Sequence, residues 1–197
     1  MNNSLRIKNY FTESISLQIQ CADELPDKIS QASQQLVTCL LAENKIMACG
    51  NGSSAADAQD FTSKLINRFQ TERPSLPGLA LTTDLNAITA IANDYHFNQI
   101  FSKQLSALGR SNDILVVLSS DGSSLNLIEA IKVAHAKKIT VIALTGNDDG
   151  DVGNSLNAQD THICIPSDKT AHIEELHRLV LHCFCDLIDN KIFGQGD

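Results

Sequence analysis

Asp113-Ile114-Leu115-Val116-Val117-Leu118 runs straight into Ser119-Ser120-Asp121-Gly122-Ser123-Ser124. An unbroken apolar run without polar alternation marks a strand covered on both faces, as in a parallel sheet. The hydroxyl- and glycine-rich tail is the kind of turn by which such a strand enters a helix. Four similar runs lie on either side: Lys45-Ile46-Met47-Ala48-Cys49, Gly78-Leu79-Ala80-Leu81-Thr82, Ile139-Thr140-Val141-Ile142-Ala143-Leu144 and His162-Ile163-Cys164-Ile165. Helical patterns alternate with them over about 54–69, 85–108, 124–137 and 170–192. Strands alternating with helices predict an α/β fold with a doubly wound, five-stranded parallel sheet.

Upstream of the first strand the pattern is helical. Ile15, Leu17 and Ile19, then Ile29, Ala32, Leu36, Leu40 and Leu41, recur at helical spacing on either side of Leu25-Pro26, where proline can open a second helix. Residues 1–43 therefore read as a two-helix N-terminal arm and 44–197 as the α/β core of one domain. An apolar-striped arm needs a surface to cover, and a partner subunit supplies one.

Composition excludes several roles. With 43% hydrophobic residues the chain can build a core, and a net charge of −8 with only 15 Lys and Arg makes direct nucleic-acid binding a poor fit. No apolar run is long enough for a membrane span, and the polar N-terminus does not read as a secretory signal, so a cytoplasmic location is expected. In that setting the six scattered cysteines are expected as reduced thiols.

In open parallel sheets ligands bind beyond the carboxyl ends of the strands. Two loops there carry chemistry: Gly50-Asn51-Gly52-Ser53-Ser54 after the first strand, and the serine loop 119–124 after the third. Glycines permit close backbone approach, and hydroxyls at a helix start can either cap it or hold an anion. Gly50, Gly52 and Ala55 also fit a loose dinucleotide fingerprint. Asp84, the acidic residue at the second strand's end, lies too far along the chain to be the ribose partner. Two hydroxyl-rich loops suit a phosphorylated small molecule better.

The ordered motifs CGNGSSAADAQDF (49–61), INRFQTERPSLP (66–77), TAIANDY (89–95), LSSDGSSLN (118–126), ALTG (143–146) and HIEELHRLVLHCFCDLID (172–189) resemble the sugar isomerase (SIS) family. Within it the likeness is to the phosphoheptose isomerase group, which includes the DnaA initiator-associating protein. That resemblance implies an SIS fold and a homotetramer with sites at subunit interfaces. It also implies a phosphorylated sugar ligand and, for the isomerases, conversion of sedoheptulose 7-phosphate to a heptose 7-phosphate for lipopolysaccharide synthesis, often with zinc. Ile192 and Phe193, beyond the DLIDN ending, read as packed apolar residues; FTESI, ADELPDKIS and DLIDN are similar to the DnaA-associating branch, a resemblance that would instead make the two an exposed contact for DnaA.

By the same resemblance, Asn51, Ser54, Ser119, Ser120 and Ser124 are the sugar and phosphate ligands, with Asp121 standing where serine is usual. Asp94 is retained beside Asn93. The family's metal-binding His and base Glu on the first core helix are Asp60 and Lys64 here; on the last helix the Gln position holds Glu174, and His182 keeps the catalytic His. Asp60 and Lys64 read either as a surface i,i+4 ion pair or as compensating charges, with Lys64 in the metal's place between Asp60 and Glu174. Glu174, His177 and His182 can border one site, or simply form a mixed helix face.

Isomerisation needs a base and a group that polarises the carbonyl, and protonated lysine is neither a base nor a metal ligand. The sequence thus predicts a sugar-phosphate-binding protein with an altered isomerase site, no resident zinc, and DnaA as partner. A zinc-dependent phosphoheptose isomerase is the alternative.

Overall fold

A computed structural model describes residues 2–146 and 150–194. Helix α1 spans Asn3–Glu24 and α2 Pro26–Leu41, with Pro26 at the start of α2 as its fixed φ favours. The core then alternates: β1 Ile46–Gly50, α3 Ser53–Ile66, β2 Gly78–Ala80, α4 Leu85–Asp94, α5 Ile100–Leu108, β3 Ile114–Ser119, α6 Leu125–Ala136, β4 Thr140–Gly146, α7 Gly150–Asn154, β5 Thr161–Ile165 and α8 Thr170–Phe193. A short 3-10 turn, Phe97–Gln99, precedes α5.

All five strands are parallel in the order β2-β1-β3-β4-β5. Successive side chains alternate faces, so Ile46, Ala48, Val116, Leu118, Ile142 and Leu144 join the core under α2, α3 and α8. Met47, Cys49, Leu115, Val117, Val141 and Ala143 face α5 and α6. The expected doubly wound α/β sheet is therefore the architecture. At the amino ends of the strands, buried Asp113 clamps β1 to β3, accepting from Lys45 N (3.0 Å), Lys45 Nζ (2.5 Å) and Arg110 N (2.7 Å).

Three expectations need correction. The helix expected over 85–108 breaks at Tyr95-His96, where the backbone leaves the helical region and His96 is extended (φ −143°, ψ 152°); α5 takes the buried positions and α4 buries none fully. The second strand is only Gly78–Ala80, an edge strand paired with β1 over those three residues. The two-helix arm divides: α2 contributes Ala32, Leu36, Val37 and Leu40 to the core, whereas α1 buries only Cys21 fully and leaves Leu5, Ile7, Phe11, Ile15 and Ile19 exposed.

All six cysteines are free, as expected. Burial pushes the thiols of Cys21 and Cys39 up to about 11 and that of Cys185 to about 12, which keeps them protonated and unreactive. Among the described residues no helix is long and apolar enough to cross a membrane.

Candidate functional site

The strand order reverses between β1 and β3, and the loops leaving these two strands diverge to opposite faces of the sheet. Such a divergence opens a crevice at the carboxyl ends of the strands. Gly52 makes the first turn possible: its φ of +56° is a conformation that side-chain-bearing residues rarely adopt. Across the crevice Asn51 and Asn126 exchange amide hydrogen bonds, Asn51 Nδ2 donating to Asn126 Oδ1 at 3.0 Å and Asn126 Nδ2 to Asn51 Oδ1 at 2.8 Å. Asn51 thus lies in the crevice. Its amide already has a partner, Asn126, that sequence reasoning missed.

One wall of the crevice is the α3/α8 pair, which run side by side in the same direction. Ser53 Oγ donates to Glu174 Oε1 at their amino ends. A turn further on, Arg178 Nε and Nη2 donate to Asp57 Oδ1 at 2.9 and 2.6 Å. Phe61 then meets Phe184 edge-on at 6.3 Å, and Arg73 Nε donates to Asp189 Oδ1 at 2.6 Å. Asp57 had a legible signal: it lies on the Asp57, Phe61, Leu65 stripe of α3, and a carboxylate on a buried stripe requires a partner. The hydrogen bond from Arg178 to Asp57 raises the guanidinium pKa further, and Asp60 and Glu174 add to it.

Behind Glu174, His177 is buried, and its Nε2 donates to the Thr145 carbonyl at 3.0 Å at the end of β4. Burial drives its pKa below the ordinary histidine value, against the opposing pull of Thr145, Asp57 and Glu174. His182 is half-buried, with its ring 5.6 Å from Phe69.

Lys64 does not stand between Asp60 and Glu174. Its ammonium bonds the Asp60 carboxylate one turn back on α3, while Glu174 is held at Ser53, about 16 Å earlier along the same helix. The i,i+4 reading is the observed one. Among the described residues, no group of three or more His, Cys, Asp or Glu gathers at metal-binding spacing.

The serine loop also differs from expectation. Asp121, exposed at the turn, folds back on the loop and takes its donors: Ser119 Oγ at 2.9 Å, Ser123 N at 3.2 Å, Ser123 Oγ at 3.0 Å and Ser124 Oγ at 3.4 Å. Partial burial would raise the Asp121 pKa, but the bonds from Ser119, Ser123 and Ser124 outweigh it and hold the group below the usual carboxylate value. Ser120 is half-buried beside the crevice. Ser54 is only 4% exposed, with its Cβ tight under Gly50.

Asp94 is not brought to this wall. It sits exposed at the end of α4, on the other face of the sheet, accepting from Asn93 Nδ2 at 2.9 Å. Ile192 and Phe193 take the packed reading: both are half-buried, Ile192 against the core and Phe193 under the Arg73 guanidinium, 5.8 Å from its ring centroid.

Comparison with known proteins adds a lineage. The family model described as "SIS domain" matches residues 9–146. The phosphoheptose isomerase of Chromohalobacter salexigens is 50% identical over 197 residues, covering 100% of both chains. The solved phosphoheptose isomerase of Francisella tularensis superposes with a TM-score of 0.91 at 45% identity over 96% of this chain and 100% of that one. That of Neisseria gonorrhoeae does so with a TM-score of 0.91 at 43% identity, over the same shares.

Proposed function

This chain belongs to the SIS-domain family, within its phosphoheptose isomerase group, and from that premise we propose that it is an aldose–ketose isomerase of a seven-carbon sugar phosphate such as sedoheptulose 7-phosphate. The observation that carries this reading is half-identity with phosphoheptose isomerases over the whole length of both chains. The crevice supports it with polar groups suited to a sugar: the Asn51 and Asn126 amides, Ser53, and the carboxylate of Glu174.

The reaction moves a proton between adjacent carbons. A base takes it from the carbon next to the carbonyl while the carbonyl oxygen gains a proton, and the resulting enediol is reprotonated on the former carbonyl carbon as its other hydroxyl gives up its proton to become the new carbonyl. Lys64 cannot be that base while protonated and paired with Asp60. We assign the role to Glu174, a half-buried carboxylate at the mouth of the crevice, where Ser53 orients it. Zinc does not suit these side chains, because the ammonium of Lys64 offers no lone pair at a position where the family supplies a carboxylate. No step is therefore routed through a metal. The resemblance further implies assembly into a homotetramer with a site completed between copies.

A second reading, sugar-phosphate binding without turnover, is favoured by one observation: the Asp60–Lys64 pair closes off the position of the family's base. In that case the chain would act through protein contacts, with DnaA as the expected partner. A coupled assay of heptose 7-phosphate formation from sedoheptulose 7-phosphate, on chelator-treated protein with and without added zinc, separates the two. Turnover that survives chelation and falls at least about a hundredfold in Glu174→Gln supports the isomerase. Binding by thermal shift with no turnover supports the second reading. Absence of binding overturns both.

A further inference from the structure

We infer that Asp121 is a specificity-determining residue that occupies the serine loop as an internal anion, so that a phosphorylated ligand binds only by displacing it. The inference rests on the phosphosugar reading and deepens it. Its carboxylate collects three hydroxyls and one backbone N–H, those of Ser119, Ser123 and Ser124, at 2.9–3.4 Å. These are hydrogen-bond donors at the start of α6, where a helix's amino end favours negative charge. A phosphate oxygen would need the same donors, since a hydroxyl has one proton to give.

Two features hold the loop in this self-filled form. Ser119 Oγ, while donating to Asp121, accepts from Gly122 N at 3.1 Å, so the carboxylate is tied into the turn itself. From the other side the loop is braced by Gly150, so close that a Cβ there would stand 2.6 Å from the Gly122 carbonyl oxygen, and by Val152 N donating to that oxygen at 2.8 Å. On those donors, Asp121 also sets a negative charge beside the groups a dianion would need; the two would repel at hydrogen-bonding distance. A neutral polyol end meets no such competition. The loop therefore biases the crevice against the phosphate group relative to the sugar, and a high ligand concentration or an opened loop is needed for occupancy.

Calorimetric titration with inorganic phosphate, sedoheptulose 7-phosphate and unphosphorylated sedoheptulose tests this on the intact protein, on Asp121→Ser and on Asp121→Asn. Both variants should bind the two phosphate-bearing ligands at least about tenfold more tightly, the scale of one charge-assisted hydrogen bond regained. Affinity for the unphosphorylated sugar should stay unchanged. Adding Ser124→Ala to Asp121→Ser should remove much of the gain. Equal affinity of intact protein and variants for sedoheptulose 7-phosphate would overturn the role of Asp121 while leaving the phosphosugar reading standing. No binding of that ligand by any of the three proteins would overturn both.

Discussion

Arg178 on α8 grips Asp57 on α3 with two nitrogens on one carboxylate oxygen, at 2.9 and 2.6 Å. The two partners live in different environments: the Asp57 side chain is 2% exposed and that of Arg178 is 58% exposed. The energetic weight therefore falls on Asp57, whose carboxylate loses water on folding and needs the guanidinium in exchange. Arg178→Met should lower stability by about 1–2 kcal/mol, measured by urea denaturation. Arg178→Lys should recover only part of it, since an ammonium lacks the planar fork. An unchanged midpoint in both variants would show that Asp57 is satisfied without α8.

Lys64 and Asp60 define a second test. Asp60→His with Lys64→Glu replaces an ammonium and a carboxylate by two groups that carry lone pairs for a divalent cation. The double variant should bind zinc at least about tenfold more tightly than the unaltered chain, read by competition with a chromogenic chelator. Stoichiometric zinc retained by the unaltered chain after dialysis would contradict the donor argument.

His177 should make stability pH-dependent on the acid side. Its folded pKa lies below the ordinary 6.5 because burial disfavours the charged ring. Below pH 6.5 the unfolded chain therefore binds a proton that the folded chain refuses, and stability falls as pH drops toward the folded value. Above 6.5 neither state is protonated there and the contribution is constant. His177→Gln should flatten the difference in unfolding free energy between pH 7.5 and 5.5 relative to the parent chain. An identical pH slope in both proteins would refute the assignment.

The exposed Leu5, Ile7, Phe11, Ile15 and Ile19 of α1 predict self-association. Light scattering at micromolar concentration should give a mass of four chains, and Phe11→Glu with Ile15→Glu should lower it. A monomer in the parent chain would leave α1 without a covering surface and sink the expectation.

Much of the fold was legible because its determinants are local and apolar. The runs at 46–49, 114–118 and 140–144 could be covered on both faces only in a parallel sheet, and Pro26 divided the first two helices. The position of the crevice followed as well, since hydroxyl-rich loops after two strands mark their carboxyl ends. The helix break at Tyr95 was not legible, because apolar periodicity continues through it and no glycine or proline marks it.

What the sequence determined alone was thus the layer order, the loops that face the ligand, and the membership written in its ordered motifs. Tertiary structure decided which groups in those loops remain free. Asn51 meets Asn126 from 75 positions away, Arg178 reaches Asp57 across 121, and Asp121 folds back onto its own serines. Apolar burial is summed over many residues and survives in a pattern. A polar side chain's fate depends on the one or two donors within about 3 Å of it, and that proximity exists only once the chain is folded.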